Sequence, residues 1–79
     1  MRVIEELNIS PIKVTIFHWN NRYLIKLELG LLEQTYKIHE YDVTSESDVK
    51  KILSEKFIEA ALQQFIQMQE RLSLSLSEI

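Results

Sequence analysis

The chain of 79 residues is long enough for one small domain, and its 46% hydrophobic and 27% charged residues are ordinary for a globular protein. A domain of this size buries about 60% of the surface that its unfolded chain exposes, so the free energy of unfolding of a monomer is small. Nine basic and twelve acidic side chains give a net charge of −3, and neither half of the chain is basic. Tight binding to a phosphate backbone needs a basic patch, so nucleic acid is disfavoured as a partner.

The absence of cysteine excludes disulfides, zinc–thiolate sites, iron–sulfur clusters and thiol nucleophiles. Glu5 and Glu6 interrupt the N-terminal region, so no apolar stretch typical of a signal peptide forms there. No apolar run approaches the length needed to span a membrane. We therefore predict a cytoplasmic protein that has no membrane segment.

The first eleven residues carry a mixed pattern. Val3, Ile4 and Leu7 have helical spacing, whereas Leu7 and Ile9 alternate as in a strand. Pro11 suits a bend at the entry to a sheet. We predict a short extended edge segment over residues 1–11, which adds at most a short edge strand to the sheet.

Residues 12–19 and 23–29 predict a hairpin, because both runs alternate and are rich in β-branched and aromatic residues. Asn20 and Asn21 between them tolerate the left-handed backbone of a two-residue type I′ turn. This loop aligns apolar with apolar residues and opposite charges with each other: Ile16 with Ile25, Val14 with Leu27, Phe17 with Leu24, and Lys13 with Glu28.

Residues 32–41 predict a third strand, with Gly30 at the chain reversal. A two-residue loop at Gly30 and Leu31 aligns Ile25 with Tyr36 but places Glu28 against Glu33. A four-residue loop would instead place Lys26 against Lys37. Both registers stay open, and either makes residues 12–41 a β-meander.

The rest of the chain predicts one long helix over residues 44–72. Thr44, Ser45 and Ser47 offer capping oxygens at its start, and Glu46 and Asp48 add negative charge to the first turn. Apolar residues then recur at spacings of three and four: Val49, Ile52, Leu53, Phe57, Ala61, Phe65, Met68 and Leu72. A break at Ser54, giving two helices in tandem, stays an alternative. Residues 73–79 are predicted to be a disordered tail.

These elements predict a single α+β domain over residues 1–79, in which a three-stranded antiparallel meander packs under one long C-terminal helix. The helix stripe centred on Leu53, Phe57, Ala61 and Phe65 covers one face of the sheet. That face carries the residues Ile12, Val14, Ile16, Ile25, Leu27, Leu29, Tyr36 and Ile38.

Two apolar groups are left over by this arrangement. One is a second helix stripe of Ile58, Leu62 and Ile66, and the other lies on the far side of the sheet at Phe17, Trp19 and Leu24. Contiguous exposed apolar surface usually marks a contact site. These six residues are our candidate interface, either for a homodimer or for another protein. A closed monomer with a wide buried helix stripe is the alternative.

The sequence lacks a pattern typical of catalysis or metal binding. His18 and His39 point to opposite sides of the predicted sheet, so they cannot share a metal ion. The acidic segment at residues 42–48 resembles a calcium loop, but Ser47 and Leu53 replace the glycine and glutamate that such a loop requires. We predict that the protein is not an enzyme and has no catalytic residue, metal ligand or cofactor.

The run IKVTIFHWNNRYLIKLELGLLEQTYKI, followed by one long helix, resembles short bacterial proteins of the Bacteroidetes type. That resemblance brings no assigned activity, cofactor or site. The surplus apolar surface favours a small interaction or assembly protein, in the first place a homodimer. A nucleic-acid-associated or antitoxin-like regulatory module is the alternative, and it would need the basic clustering that the chain lacks.

Overall fold

The computed structural model describes residues 1–79, which form four β-strands followed by helices. The strands contain eight residues each: β1 is Arg2–Ile9, β2 is Ile12–Trp19, β3 is Arg22–Leu29 and β4 is Leu32–His39. After a 3-10 turn at Glu40–Asp42, the chain forms the helices α1 (Glu46–Ile52) and α2 (Glu55–Leu76). The predicted α+β class and antiparallel meander are confirmed.

Two-residue turns join successive strands, so the sheet has the simple order β1-β2-β3-β4. Asn20 and Asn21 have φ of 55° and 63°, the left-handed backbone that a type I′ turn requires at both central positions. Gly30 has φ of 63° and Leu31 keeps a negative φ, which is the pattern of a type II′ turn. Both turn types match the twist of the strands that they join.

The predicted register of the β2–β3 hairpin is confirmed, with Ile16 opposite Ile25 and Phe17 opposite Leu24. The β3–β4 hairpin adopts the two-residue loop, which places Glu28 opposite Glu33. Lys26 offsets the repulsion between these carboxylates, because its Nζ lies 4.0 Å from Glu28 Oε1 and 3.5 Å from Glu33 Oε2.

The N-terminal segment is an edge strand, as predicted for residues 1–11, but it is longer than the short addition expected there. β1 pairs with β2 along its length, and the register shifts between Val3 and Glu5 at a β-bulge. The bulge lets Ile4 pack against the core together with Leu7. This explains the mixed pattern of the segment, and the sheet has four strands where the sequence predicts three with at most a short addition.

The helical region is not the single helix predicted over residues 44–72 but the alternative, two helices in tandem with a break at Ser54. Ser54 separates α1 from α2 and caps α2, because its Oγ accepts a 3.2 Å hydrogen bond from the backbone N–H of Phe57. α2 then continues to Leu76, so the first part of the predicted disordered tail is the last turn of a helix. This end of the chain contains neither glycine nor proline, the residues that most strongly stop a helix.

Both helices pack on the same face of the sheet, and the core forms between the two layers. Its buried apolar residues are Ile12, Val14, Ile16, Ile25, Leu27, Val49, Ala61 and Phe65. Leu29 and Ile38 are half-buried, and Tyr36 is partly exposed. Tyr36 lies on an edge strand, where no further strand shields it.

Ion pairs hold α1 against β1. Arg2 Nη2 lies 2.8 Å from Glu46 Oε1, and Lys50 Nζ lies 2.5 Å from Glu5 Oε2. This Glu5 oxygen is buried and has no other polar partner. Lys50 therefore supplies the charge that allows a carboxylate on the helix-facing side of the sheet.

Candidate interaction surfaces

One face of the sheet has no second layer, and it carries an apolar cluster. The cross-strand neighbours Val3, Phe17 and Leu24 lie on this side, together with Trp19. Val3 is 51% exposed and Trp19 is 48% exposed, while Phe17 and Leu24 are half-buried. We call these four residues the outer apolar cluster. It includes Phe17, Trp19 and Leu24, three of the residues that the sequence assigns to an interface.

Polar side chains surround the outer apolar cluster. Lys37 is the cross-strand neighbour of Leu24, and Arg22 lies opposite His39 in the next row. Thr15, at the centre of the face, is buried, with Glu6 and Lys26 as its cross-strand neighbours. An apolar patch with a polar rim is the usual anatomy of a protein contact surface.

The predicted helix stripe is divided by the structure. Ile58 and Leu62 are half-buried and pack against the core of their own chain. Ile66 is 46% exposed and lines a shallow groove with Leu29 and Phe65. Most of the stripe therefore contributes to the core rather than to an open surface, which leaves Ile66 as its accessible member.

The C-terminal part of α2 forms an apolar surface that combines Leu72, predicted in the apolar repeat of the helix, with Leu76, predicted in the disordered tail. Every residue beyond Met68 is exposed, including Leu72 and Leu76. These leucines continue the core-facing stripe of Phe65 and Met68 at helical spacing, where no strand lies beneath them. The four-residue spacing from Leu72 to Leu76 was the signal that the helix continues into the predicted tail.

The two histidines lie apart, as predicted from the register. His18 faces the helix side, where its Nε2 lies 3.2 Å from Glu40 Oε2 and its ring packs against Tyr23. His39 stacks on Tyr41 and accepts a hydrogen bond from the Tyr41 backbone N–H. No group of three or more His, Cys, Asp or Glu side chains in residues 1–79 is placed to hold a metal ion.

The acidic segment before α1 acts as a helix start. The Asp48 carboxylate accepts hydrogen bonds from the Thr44 hydroxyl and from the Thr44 backbone N–H at 3.0 Å. These bonds, with a smaller contribution from Lys51, lower the pKa of Asp48 from its usual value. Ser45 occupies the N-cap position but makes no capping hydrogen bond with its side chain. Asp48 therefore ties the residue before the N-cap to the first turn of α1, whereas the hydroxyl of Ser45 does not cap the helix as the sequence predicts.

The fold is an α+β meander with one covered and one open sheet face. No protein-family model, no characterised protein and no solved structure matches the chain. Neither helix is long and apolar enough to cross a membrane. The resemblance to Bacteroidetes-type proteins stays a prediction from the sequence.

Proposed function

We propose that this chain is a small interaction and assembly protein that acts as a self-associated dimer. One observation carries the interaction role: the sheet has an open face, and the outer apolar cluster lies on it without a covering layer. Small monomeric domains rarely leave such a cluster in water without a binding role. The exposed leucines of α2 add a second uncovered surface.

The small size of the chain also supports self-association. Nine of its 79 residues are buried, so the core of the monomer is small and contributes little to its free energy of unfolding. Burial between subunits adds to that core without lengthening the chain. A two-fold dimer is the simplest assembly, because one self-complementary patch is sufficient.

The mass of the purified chain in light scattering, measured from micromolar to near-millimolar concentration, tests the proposal. We expect a mass of two chains that falls toward one chain on dilution. A mass of one chain at every concentration would contradict self-association. The cytoplasmic location predicted from the sequence belongs to the same proposal, and fractionation of cells that express the chain checks it.

A further inference from the structure

β4 is an edge strand with free hydrogen-bonding groups. It pairs with β3 on one side and has no strand on the other. The Leu29–Leu32 pair flanks a two-residue turn, so β4 uses every second residue from Leu32 onward to bond β3. The bond from Glu40 N–H to the Asn21 carbonyl continues this series. The backbone groups of Glu33, Thr35 and Lys37 therefore point away from the sheet.

The two edges of the sheet differ in how they are protected. β1 carries a bulge between Val3 and Glu5, and Arg2 and Glu5 form ion pairs with α1. β4 pairs with β3 without interruption over all its residues, so it is regular along its length. Bulges protect an edge against a further strand, whereas a regular edge accepts one. β4 is therefore the edge that is open for pairing.

The sequence of β4 is complementary to itself about Thr35. When a second copy lies antiparallel with Thr35 opposite Thr35, Glu33 faces Lys37 and Gln34 faces Tyr36. Leu32 then faces Ile38. Each cross-strand pair is therefore either oppositely charged, polar or apolar on both sides. The same register brings together the backbone groups that point outward, which an antiparallel hydrogen-bonded pair requires.

The charged side chains of β4 are free to make these contacts. Lys37 forms no ion pair within the chain, and Glu33 has only Lys26, at 3.5 Å. Tyr36 is 39% exposed, and its hydroxyl already donates a 3.0 Å hydrogen bond to Gln34 Oε1. Glu33, Tyr36 and Lys37 are thus the accessible members of the complementary set, whereas Gln34 is already bonded to Ala61 and Tyr36 within its own chain.

α2 leaves room for a second copy beside β4. Phe57 packs on Tyr36, and Ala60 and Gln64 follow Phe57 at helical spacing. Both Ala60 and Gln64 are exposed. Ile58 and Leu62, on the opposite flank of α2, lie beside Ile9 of β1, so Ala60 and Gln64 form the flank toward the β4 edge, where they place no large apolar side chain.

We infer that two copies of the chain pair β4 against β4, antiparallel and centred on Thr35, to form one continuous sheet of twice four strands. This inference rests on the self-association proposed above and adds the contact and its register. The two open sheet faces then become one surface, and both outer apolar clusters stay accessible.

Charge reversal at Glu33 and Lys37 tests the register. Glu33→Lys places two lysines opposite each other at two positions of the dimer, and Lys37→Glu does the same with two glutamates. We expect each variant to raise the dissociation constant of the dimer at least tenfold in analytical ultracentrifugation. The double variant, Glu33→Lys with Lys37→Glu, restores both pairs, and we expect it to restore dimerisation.

Mixing the two single variants gives a sharper result. A chain with Glu33→Lys and a chain with Lys37→Glu are complementary at both positions, so the mixture should form heterodimers that neither variant forms alone. Lys13→Glu is the matched control, because Lys13 lies on the same sheet face but away from the β4 edge. We expect that control to dimerise as the unmodified chain does.

Proline at the centre of the edge provides an independent variant. The N–H of Thr35 points outward, so Thr35→Pro removes a contact of the dimer and keeps the bonds to β3. Asn8→Pro is its control, because Asn8 holds the equivalent outward position on β1.

Hydrogen exchange tests the contact in the unmodified chain, without any variant. The amides of Glu33, Thr35 and Lys37 should become protected from exchange as the concentration of the chain rises.

The outcomes separate the inference from the proposed function. The β4 contact is wrong if the charge reversals leave the dissociation constant unchanged, the mixture forms no excess of heterodimer and the Thr35 amide stays unprotected. Self-association itself would still stand in that case. A monomer at all concentrations overturns both. Dimerisation lost in each single variant and recovered in the double variant and the mixture supports both.

Discussion

The side-chain amide of Gln34 donates a 2.9 Å hydrogen bond to the backbone carbonyl of Ala61, and this bond joins β4 to α2. Gln34 is the polar exception on the apolar side of its strand, with Leu32 and Tyr36 on either side. A buried Ala61 lets the helix come close enough for the contact. The polar residue therefore sets where α2 lies along β4.

Gln34→Ala should lower the free energy of unfolding by about 1 kcal/mol, because it removes a side-chain hydrogen bond in a half-buried position. Chemical denaturation of the variant beside the unmodified chain measures the loss. Lys13→Ala is the control, since Lys13 is exposed and lies on the opposite face, away from the β4 edge. Equal midpoints for Gln34→Ala and the unmodified chain would show that the bond does not hold α2.

The turn at Asn20 and Asn21 should be sensitive to β-branched residues. Both residues have positive φ, so valine at both positions should cost about 1–2 kcal/mol of stability. Asn21→Gly should be neutral or slightly stabilising, because glycine adopts this backbone without strain. Thermal denaturation of the two variants compares them, and an unchanged midpoint in the double-valine chain would contradict the turn assignment.

The substitutions Leu62→Glu and Leu24→Glu should lower the free energy of unfolding by different amounts. Leu62 packs against the core, so Leu62→Glu should reduce stability by about 2–3 kcal/mol. Leu24 lies on the open face opposite Lys37, so Leu24→Glu should cost less than about 1 kcal/mol. Urea denaturation at one concentration of chain separates the two. A larger loss at Leu24 would mean that the outer apolar cluster is buried in the native assembly.

Asp48 should make stability depend on acid pH. Hydrogen bonds from Thr44 lower its pKa in the folded chain below the usual 3.8. The charged form is therefore favoured by folding, and its contribution is present above about pH 4 and is lost as the pH falls through the lowered pKa. The stability difference between the unmodified chain and Asp48→Asn should narrow below about pH 4. A difference that stays constant from neutral to acid pH would contradict this role.

The central hairpin was predictable because its determinants are local. Alternation along β2 and β3 and the Asn20–Asn21 turn specify one register, and a slip by one residue would turn the apolar side chains toward water. The core-facing residues Phe57, Ala61 and Phe65 were predictable for the same reason, since helical periodicity shows which side chains share a face.

The remaining features depend on contacts between distant parts of the chain. The β-bulge and the long pairing of β1 arise where the first residues meet β2, and their local pattern is ambiguous. The two-residue loop at Gly30 places Glu28 opposite Glu33, and this pairing is tolerated because Lys26 of β3 contacts Glu33 across the strands as well as Glu28 on its own strand. Local spacing alone cannot weigh such cross-strand charges.

The sequence by itself determined the class of fold, the central register and the presence of surplus apolar residues. Only the tertiary structure decided which of these residues stay uncovered: Ile58 and Leu62 pack into the core, whereas Trp19 and the leucines at the end of α2 do not. The physical reason is that periodicity shows the direction of a side chain, but its burial depends on whether another element lies in that direction.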